Sequence, residues 1–180
     1  MTSYFLAMAI CLWTADAQPA NQVSTPSDSA AATTASALAA TDATRAGAPL
    51  LRRVISLDGQ WDIADGGLDE MPKAYAAKAP VPGLVDMAQP PFVDVGTAES
   101  AKHRAAFWYR RTFTVPGDVP AVAQLKLHKV KYGARVYLNG AVLGEHMPCF
   151  TPGYFDVSGK LKGGGQSNEL VVRVGHARES

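Results

Sequence analysis

Phe107-Trp108-Tyr109-Arg110-Arg111-Thr112-Phe113-Thr114-Val115 is the stretch that decides the fold class of this chain. Successive side chains of an extended backbone point to opposite faces. Phe107, Tyr109, Arg111, Phe113 and Val115 then share one face, and Trp108, Arg110, Thr112 and Thr114 share the other. Aromatic and β-branched residues at this density suit a strand, and Pro116-Gly117 ends it. Arg110 and Arg111 fall on opposite sides, so one of them is expected to be drawn inward and to need a carboxylate partner.

Strand signals continue on both sides. Leu125 and Leu127 mark a second strand, and Ala134, Val136 and Leu138 a third. Asn139-Gly140 then precedes Val142-Leu143, a strong short-range hairpin signal because both turn positions need φ > 0. Residues 154–157 and 169–174 add two more strands, joined through the glycines at 163–165. Upstream, Val54-Ile55-Ser56-Leu57 leads into the Asp58-Gly59 turn, after which Trp61 and Ile63 alternate with polar neighbours. Pro82-Gly83 suits a sharp turn in which glycine permits φ > 0. No segment sustains a period of 3.6. Residues 51–180 are therefore expected to fold as an all-β sandwich or jelly roll.

The preceding chain is different in kind. Residues 18–50 are mostly Ala, Thr and Ser, with Val23 and Leu38 among few larger aliphatics. Such a segment buries too little apolar surface to offset its ordering entropy, so it reads as a tether. The alternative, an Ala-rich helix over residues 29–40, lacks an apolar stripe. Residues 1–17 hold an apolar run from Tyr4 to Trp13, shorter than the roughly 20 residues of a bilayer span. Ala15-Asp16-Ala17 supplies a signal-peptidase pattern, so cleavage before Gln18 and a secreted or periplasmic destination are expected. No Lys or Arg precedes the run, which is atypical of an export signal.

A net charge of +1 gives no reason to expect a nucleic-acid partner. Lys126, His128, Lys129 and Lys131 alternate with Leu125, Leu127 and Val130, as on a strand with one wet face. The two cysteines, Cys11 and Cys149, make no disulfide framework. Cys149 is read as a buried thiol beside Phe150; nearby His146 leaves a catalytic thiol as the alternative. No metal-ligand cluster, phosphate loop or nucleophile elbow occurs, so no cofactor is implied.

The ordered pieces resemble the amino-terminal sugar-binding-like domain of family 2 glycoside hydrolases, a galactose-binding-domain-like jelly roll. They are Leu57-Asp58-Gly59-Gln60-Trp61, Val81-Pro82-Gly83, residues 107–113, Val136-Tyr137-Leu138-Asn139-Gly140, Gly144-Glu145-His146, Thr151-Pro152 with Phe155-Asp156-Val157, and Glu169-Leu170 with Val172-Arg173-Val174. The run 136–157 is most similar to β-glucuronidase-like members. Pro148-Cys149-Phe150 departs from the Gly-Gly-Tyr of relatives at that place.

The resemblance implies a non-catalytic domain or fragment of a secreted exo-β-glycosidase. Its partners would be a β-glycoside carbohydrate and the catalytic barrel of the same polypeptide, with no membrane span. Family members cleave the glycosidic bond with two glutamates about 5 Å apart on a barrel of about 250 residues. Nothing in these 180 residues matches that barrel, and the family's closing strand after residues 169–174 is also expected to be missing. Asn168-Glu169 echoes the acid/base dipeptide but sits at a strand start and is read as a turn and strand edge. The alternatives are a free-standing carbohydrate-binding module, marked by exposed aromatics on a concave face, or a structural adhesion domain. Trp108 and Tyr109 are read as packing residues rather than sugar-stacking ones. Residues 89–106 form the longest irregular stretch, and the resemblance places this loop at the active-site mouth. His103 and Arg104, nearest the strand, are the candidate substrate-rim residues.

Overall fold

A computed structural model describes residues 5–13 and 53–175. The tether at 18–50 and the Ala15-Asp16-Ala17 cleavage site lie outside them. The described strands are β1 (Phe5–Trp13), β2 (Arg53–Ser56), β3 (Gly59–Gly66), β4 (Ala77–Val81), β5 (Gly83–Leu84), β6 (Ala106–Thr114), β7 (Val122–Val130), β8 (Ala134–Leu138), β9 (Ala141–His146), β10 (Gly153–Asp156) and β11 (Ser167–Val174). The helical pieces are a single 3-10 turn at Val85–Met87 and α1 (Ser100–His103). The all-β reading holds.

The strands form two sheets. One runs β4-β3-β6-β11-β8-β9, the other β10-β7-β1-β2 with β5 also on β1. Alternation places Trp61, Ile63, Phe107, Tyr109, Val136 and Val172 of the six-stranded sheet in a core with Leu125, Leu127 and Phe155 of the other. Trp61 is wholly buried, and its Nε1 donates to the Leu57 carbonyl at 2.8 Å. Each such side chain contributes about 1.5–3 kcal/mol by leaving water. On β7, Leu125 and Leu127 alternate inward as expected, and a register shift at His128 leaves His128 and Lys129 both exposed and turns Val130 back into the core.

Asn139 and Gly140 take φ of 51° and 82° at the β8–β9 turn, the left-handed pair a two-residue hairpin requires. Gly83 corrects its sequence reading. It does not have positive φ; instead, a Cβ there would stand 2.4 Å from the Pro80 carbonyl oxygen. Close backbone approach, not left-handed conformation, demands glycine at this position.

The outer face of the six-stranded sheet carries its own small core. Residues 67–76 cross it, with Leu68, Met71 and Tyr75 against Ala106, Trp108, Val171 and Tyr137. Two hydrogen bonds fasten the crossing: Trp108 Nε1 to the Gly67 carbonyl at 2.9 Å, and Arg173 Nη1 to the Leu68 carbonyl at 2.7 Å. Tyr75 lies over Arg110, with the guanidinium carbon 4.2 Å from the ring centroid. Its hydroxyl is buried with no partner among the described residues, and burial pushes its pKa up to about 12. A phenol whose folded pKa is raised favours folding below the unfolded value of 10.0, and that advantage is lost as pH climbs towards 12. Tyr75→Phe should therefore leave neutral-pH stability unchanged or slightly higher. It should also flatten the alkaline limb between pH 10 and 12 in a melting-temperature series. A steeper alkaline limb in the variant would contradict this account.

Candidate functional site

Residues 89–105 connect the β4 side of the sandwich to β6. The near end is tied by a two-way backbone bridge, Lys78 N to Gln89 O at 2.9 Å and Gln89 N to Lys78 O at 2.8 Å. The far end is tied by Ala105 N to Gly66 O at 3.0 Å. Between them Arg104 acts as a spine. Its Nε donates to Asp65 Oδ2 at 2.8 Å, and its Nη1 to the Val93 carbonyl at 2.8 Å and Ser100 Oγ at 2.9 Å. Its guanidinium carbon stands 5.9 Å from the Phe92 ring centroid and 5.5 Å from that of Phe107, whose rings meet edge to face. Only 6% of the Arg104 side chain is exposed.

His103, in contrast, is 54% exposed on the last turn of α1, with Nε2 3.4 Å from Asp94 Oδ2. Asp94 itself holds φ of 61° and accepts the Thr97 N–H and hydroxyl on its carbonyl. The two residues singled out in the sequence thus hold different positions in one loop. Arg104 faces inward and shapes the loop; His103 and Asp94 face solvent. Backbone spacing alone could not separate them, because Phe92, Asp65 and Ser100 are distant in sequence from one another.

A second polar feature was not recognised from the sequence. Gln60, Asp62, Lys78, Arg110, Arg111 and Thr112, from β3, β4 and β6, line an open cleft of about 330 Å³. Asp62 accepts from Lys78 Nζ at 2.7 Å and from Arg110 Nη2 at 3.1 Å. The hydrogen bond from Lys78 holds the Asp62 carboxyl below the usual aspartate value; burial opposes it, and Arg110 lowers it further. Three cations against one carboxylate could receive an acidic or hydroxyl-rich group. The cleft offers one carboxylate where glycoside hydrolysis needs two.

This arrangement corrects the expectation for the paired arginines. Arg110, on the outer face, has the carboxylate partner. Arg111 bonds instead to the Gln60 carbonyl at 3.2 Å, with its Nε unpartnered among the described residues. The signal available in sequence was the alternation that puts Asp62 and Arg110 on the same face of neighbouring strands.

The remaining candidates resolve simply. Trp108 and Tyr109 are 0% and 1% exposed, so their rings present no face to a sugar. Cys149 is half-buried and free, and the nearby His146 ring is engaged through Nε2 with the Thr151 carbonyl at 2.9 Å. Asn168 is fully buried in a hydrogen-bond network at the start of β11. Glu145 lies 3.6 Å from both Arg135 and Arg173 across β9, β8 and β11. Among the described residues no group of three His, Cys, Asp or Glu could hold a metal ion, and no helix is long and apolar enough to cross a membrane.

A family profile described as glycosyl hydrolase 2 galactose-binding domain-like matches residues 85–180. A β-glucuronidase of Formosa agariphila is 32% identical over 98 residues, covering 48% of this chain and 10% of that protein. Among solved structures, Faecalibacterium prausnitzii β-glucuronidase superposes with a TM-score of 0.53 at 29% identity, over 67% of this chain and 20% of that one. Ruminococcus gnavus β-glucuronidase, solved in complex with uronic deoxynojirimycin, gives 0.51 at 25% identity, over 69% and 22%. The chain therefore spans between about a tenth and a fifth of the length of these relatives.

Proposed function

The chain belongs to the glycosyl hydrolase 2 galactose-binding domain-like family, and from that premise we propose that it is the non-catalytic sandwich of an exo-acting β-glucuronidase-like glycosidase. In this reading the sandwich supports a catalytic barrel and lends the loop 89–105 to the rim of the substrate pocket. The observation that carries it is the fold's likeness to about one-fifth of a β-glucuronidase, in a chain whose open cleft lacks a carboxylate pair. Arg104 gives the loop a fixed shape, and His103 and Asp94 are the side chains it can present. Rim contacts of this kind bind ground and transition states alike, so they lower KM without raising kcat.

Two measurements test the reading. The purified chain is expected to leave 4-nitrophenyl β-D-glucuronide intact; turnover abolished by Glu169→Gln would overturn the non-catalytic assignment. In a chimera, this sandwich replaces the corresponding fifth of the Faecalibacterium prausnitzii enzyme. There, replacing His103 and Arg104 together by alanine should raise KM roughly tenfold, with kcat within about twofold. Unchanged kinetics would remove the loop from the pocket.

A further inference from the structure

The cleft beside Asp62 has its cause in the sheet. β3 pairs with β6 from Gly66 opposite Ala106 to Asp62 opposite Arg110, and there the ladder stops. β3 stays paired with β4 as far as Gly59 opposite Val81, and β6 with β11 as far as Thr114 opposite Ser167. Neighbouring strands of one sheet therefore part beyond Asp62 and Arg110, and the cleft opens in the fork between them. Arg111 reaches into this fork. Alternation sets it in step with Tyr109 and Phe113, both buried, yet it is only half-buried and lines the cleft. Its Nη1 donates to the Gln60 carbonyl at 3.2 Å, where β3 and β6 no longer bond each other. Gly59, at a φ of 130°, leaves the room, because a Cβ there would stand 3.0 Å from that Nη1.

The charges around the cleft are unevenly matched. Lys78 and Arg110 both bond Asp62, and the Arg110 guanidinium is further held over the Tyr75 ring. Arg111 has no carboxylate partner among the described residues, and its Nε is also without one. Glu169, opposite Thr112 on β11, is not part of the lining. Positive charge is thus in excess, and a guanidinium receives a carboxylate through paired N–H donors. The rest of the lining suits hydroxyls. Gln60 and Thr112 both donate and accept, and Asp62 keeps lone pairs beyond the two bonds it already accepts. No aromatic ring lines the cleft, so a neutral sugar would find no apolar face to rest on. About 330 Å³ lies at the small end of the roughly 300–1,000 Å³ of ligand sites, which suits one ring rather than a chain of them.

We propose that the fork between β3 and β6 binds a carboxylated monosaccharide, a hexuronate. Arg111 takes the carboxylate, Lys78 adds to the positive field, and Asp62, Gln60 and Thr112 bond the ring hydroxyls. None of residues 89–105 lines this cleft, so the inference stands apart from the rim role of that loop.

Titration of the full chain with sodium D-glucuronate at constant ionic strength, followed by amide NMR shifts, tests it. Saturable shifts should gather at residues 60–62, 78 and 110–112, with a Kd on the order of 1 mM for so small a ligand. D-Glucose and acetate, each carrying half of the recognised chemistry, should bind at least roughly tenfold more weakly. Arg111→Gln should weaken glucuronate binding roughly tenfold or more. Lys78→Gln changes a side chain that is 66% exposed, so it tests the site without burdening the fold, and should cost about threefold. No saturation by about 50 mM glucuronate would overturn the proposal. Sulfate binding as tightly at the same amides would overturn it too, by making the cleft a general oxyanion site. So would a glucuronate affinity unchanged by both substitutions.

Discussion

Replacing Asn168 by alanine should lower the melting temperature by about 10 °C or more, the largest effect expected of any polar substitution in the domain. The reason is the number of buried groups that depend on one amide. Its Oδ1 accepts from Lys162 N at 2.8 Å and from Asn139 Nδ2 at 3.0 Å. Its Nδ2 donates to the carbonyls of Lys162 at 2.9 Å and Gln166 at 3.4 Å. Asn139 in turn donates to the Lys160 carbonyl at 3.0 Å and accepts from Glu169 N at 3.0 Å. Two asparagines therefore join the β8–β9 turn, the segment before β11 and the first residue pairs of β11. Truncation leaves several of these donors and acceptors without partners in a site from which water is excluded. Each such group costs about 1–3 kcal/mol, so a total of about 2–4 kcal/mol is expected after local relaxation. Asn168→Asp should be nearly as harmful, because it keeps the acceptor and loses both donated bonds. A thermal or urea melt of either variant within about 0.5 kcal/mol of the parent would show that the network is dispensable.

Arg104→Ala should cost about 2–3 kcal/mol and loosen the loop before it loosens the sandwich. The substitution strips Asp65 of its partner, frees the Val93 carbonyl and Ser100 hydroxyl, and removes the cation resting between Phe92 and Phe107. Asp65 is 38% exposed and can be rehydrated, which holds the loss below that of a fully buried pair. Arg104→Lys keeps the charge but cannot reach three acceptors as a planar fork, so it should recover only part of the loss. Limited proteolysis separates the two causes. The alanine variant should be cut within residues 89–105 at protease levels that leave the parent intact, whereas Asn168→Ala should be cut there only as it unfolds globally. Equal resistance of that loop in parent and Arg104→Ala would deny Arg104 its anchoring role.

Most of the sandwich is legible in strand alternation and turn residues. Period-two alternation in residues 107–115 and 134–138 identifies strands because each has one face in the core, and Asn139-Gly140 identifies its hairpin because few other residues tolerate two left-handed positions. Burial of Trp61 and Trp108 was likewise legible from their size and neighbours. β4, Ala77-Lys78-Ala79-Pro80-Val81, was not, since its small and proline-bearing sequence carries little strand propensity and is extended by pairing with β3.

Which polar residues meet depends on how the strands are brought together. Asp62 lies on β3, Lys78 on β4 and Arg110 on β6, and no local pattern measures the distances between strands. The same holds for His103 and Arg104, adjacent in sequence yet divided between solvent and interior by Phe92, Phe107 and Asp65. Strand alternation is a property of the backbone and can be read one segment at a time. A site made of side chains from several strands and a loop exists only after the chain has folded, because folding alone sets the distances on which charge pairing and desolvation depend.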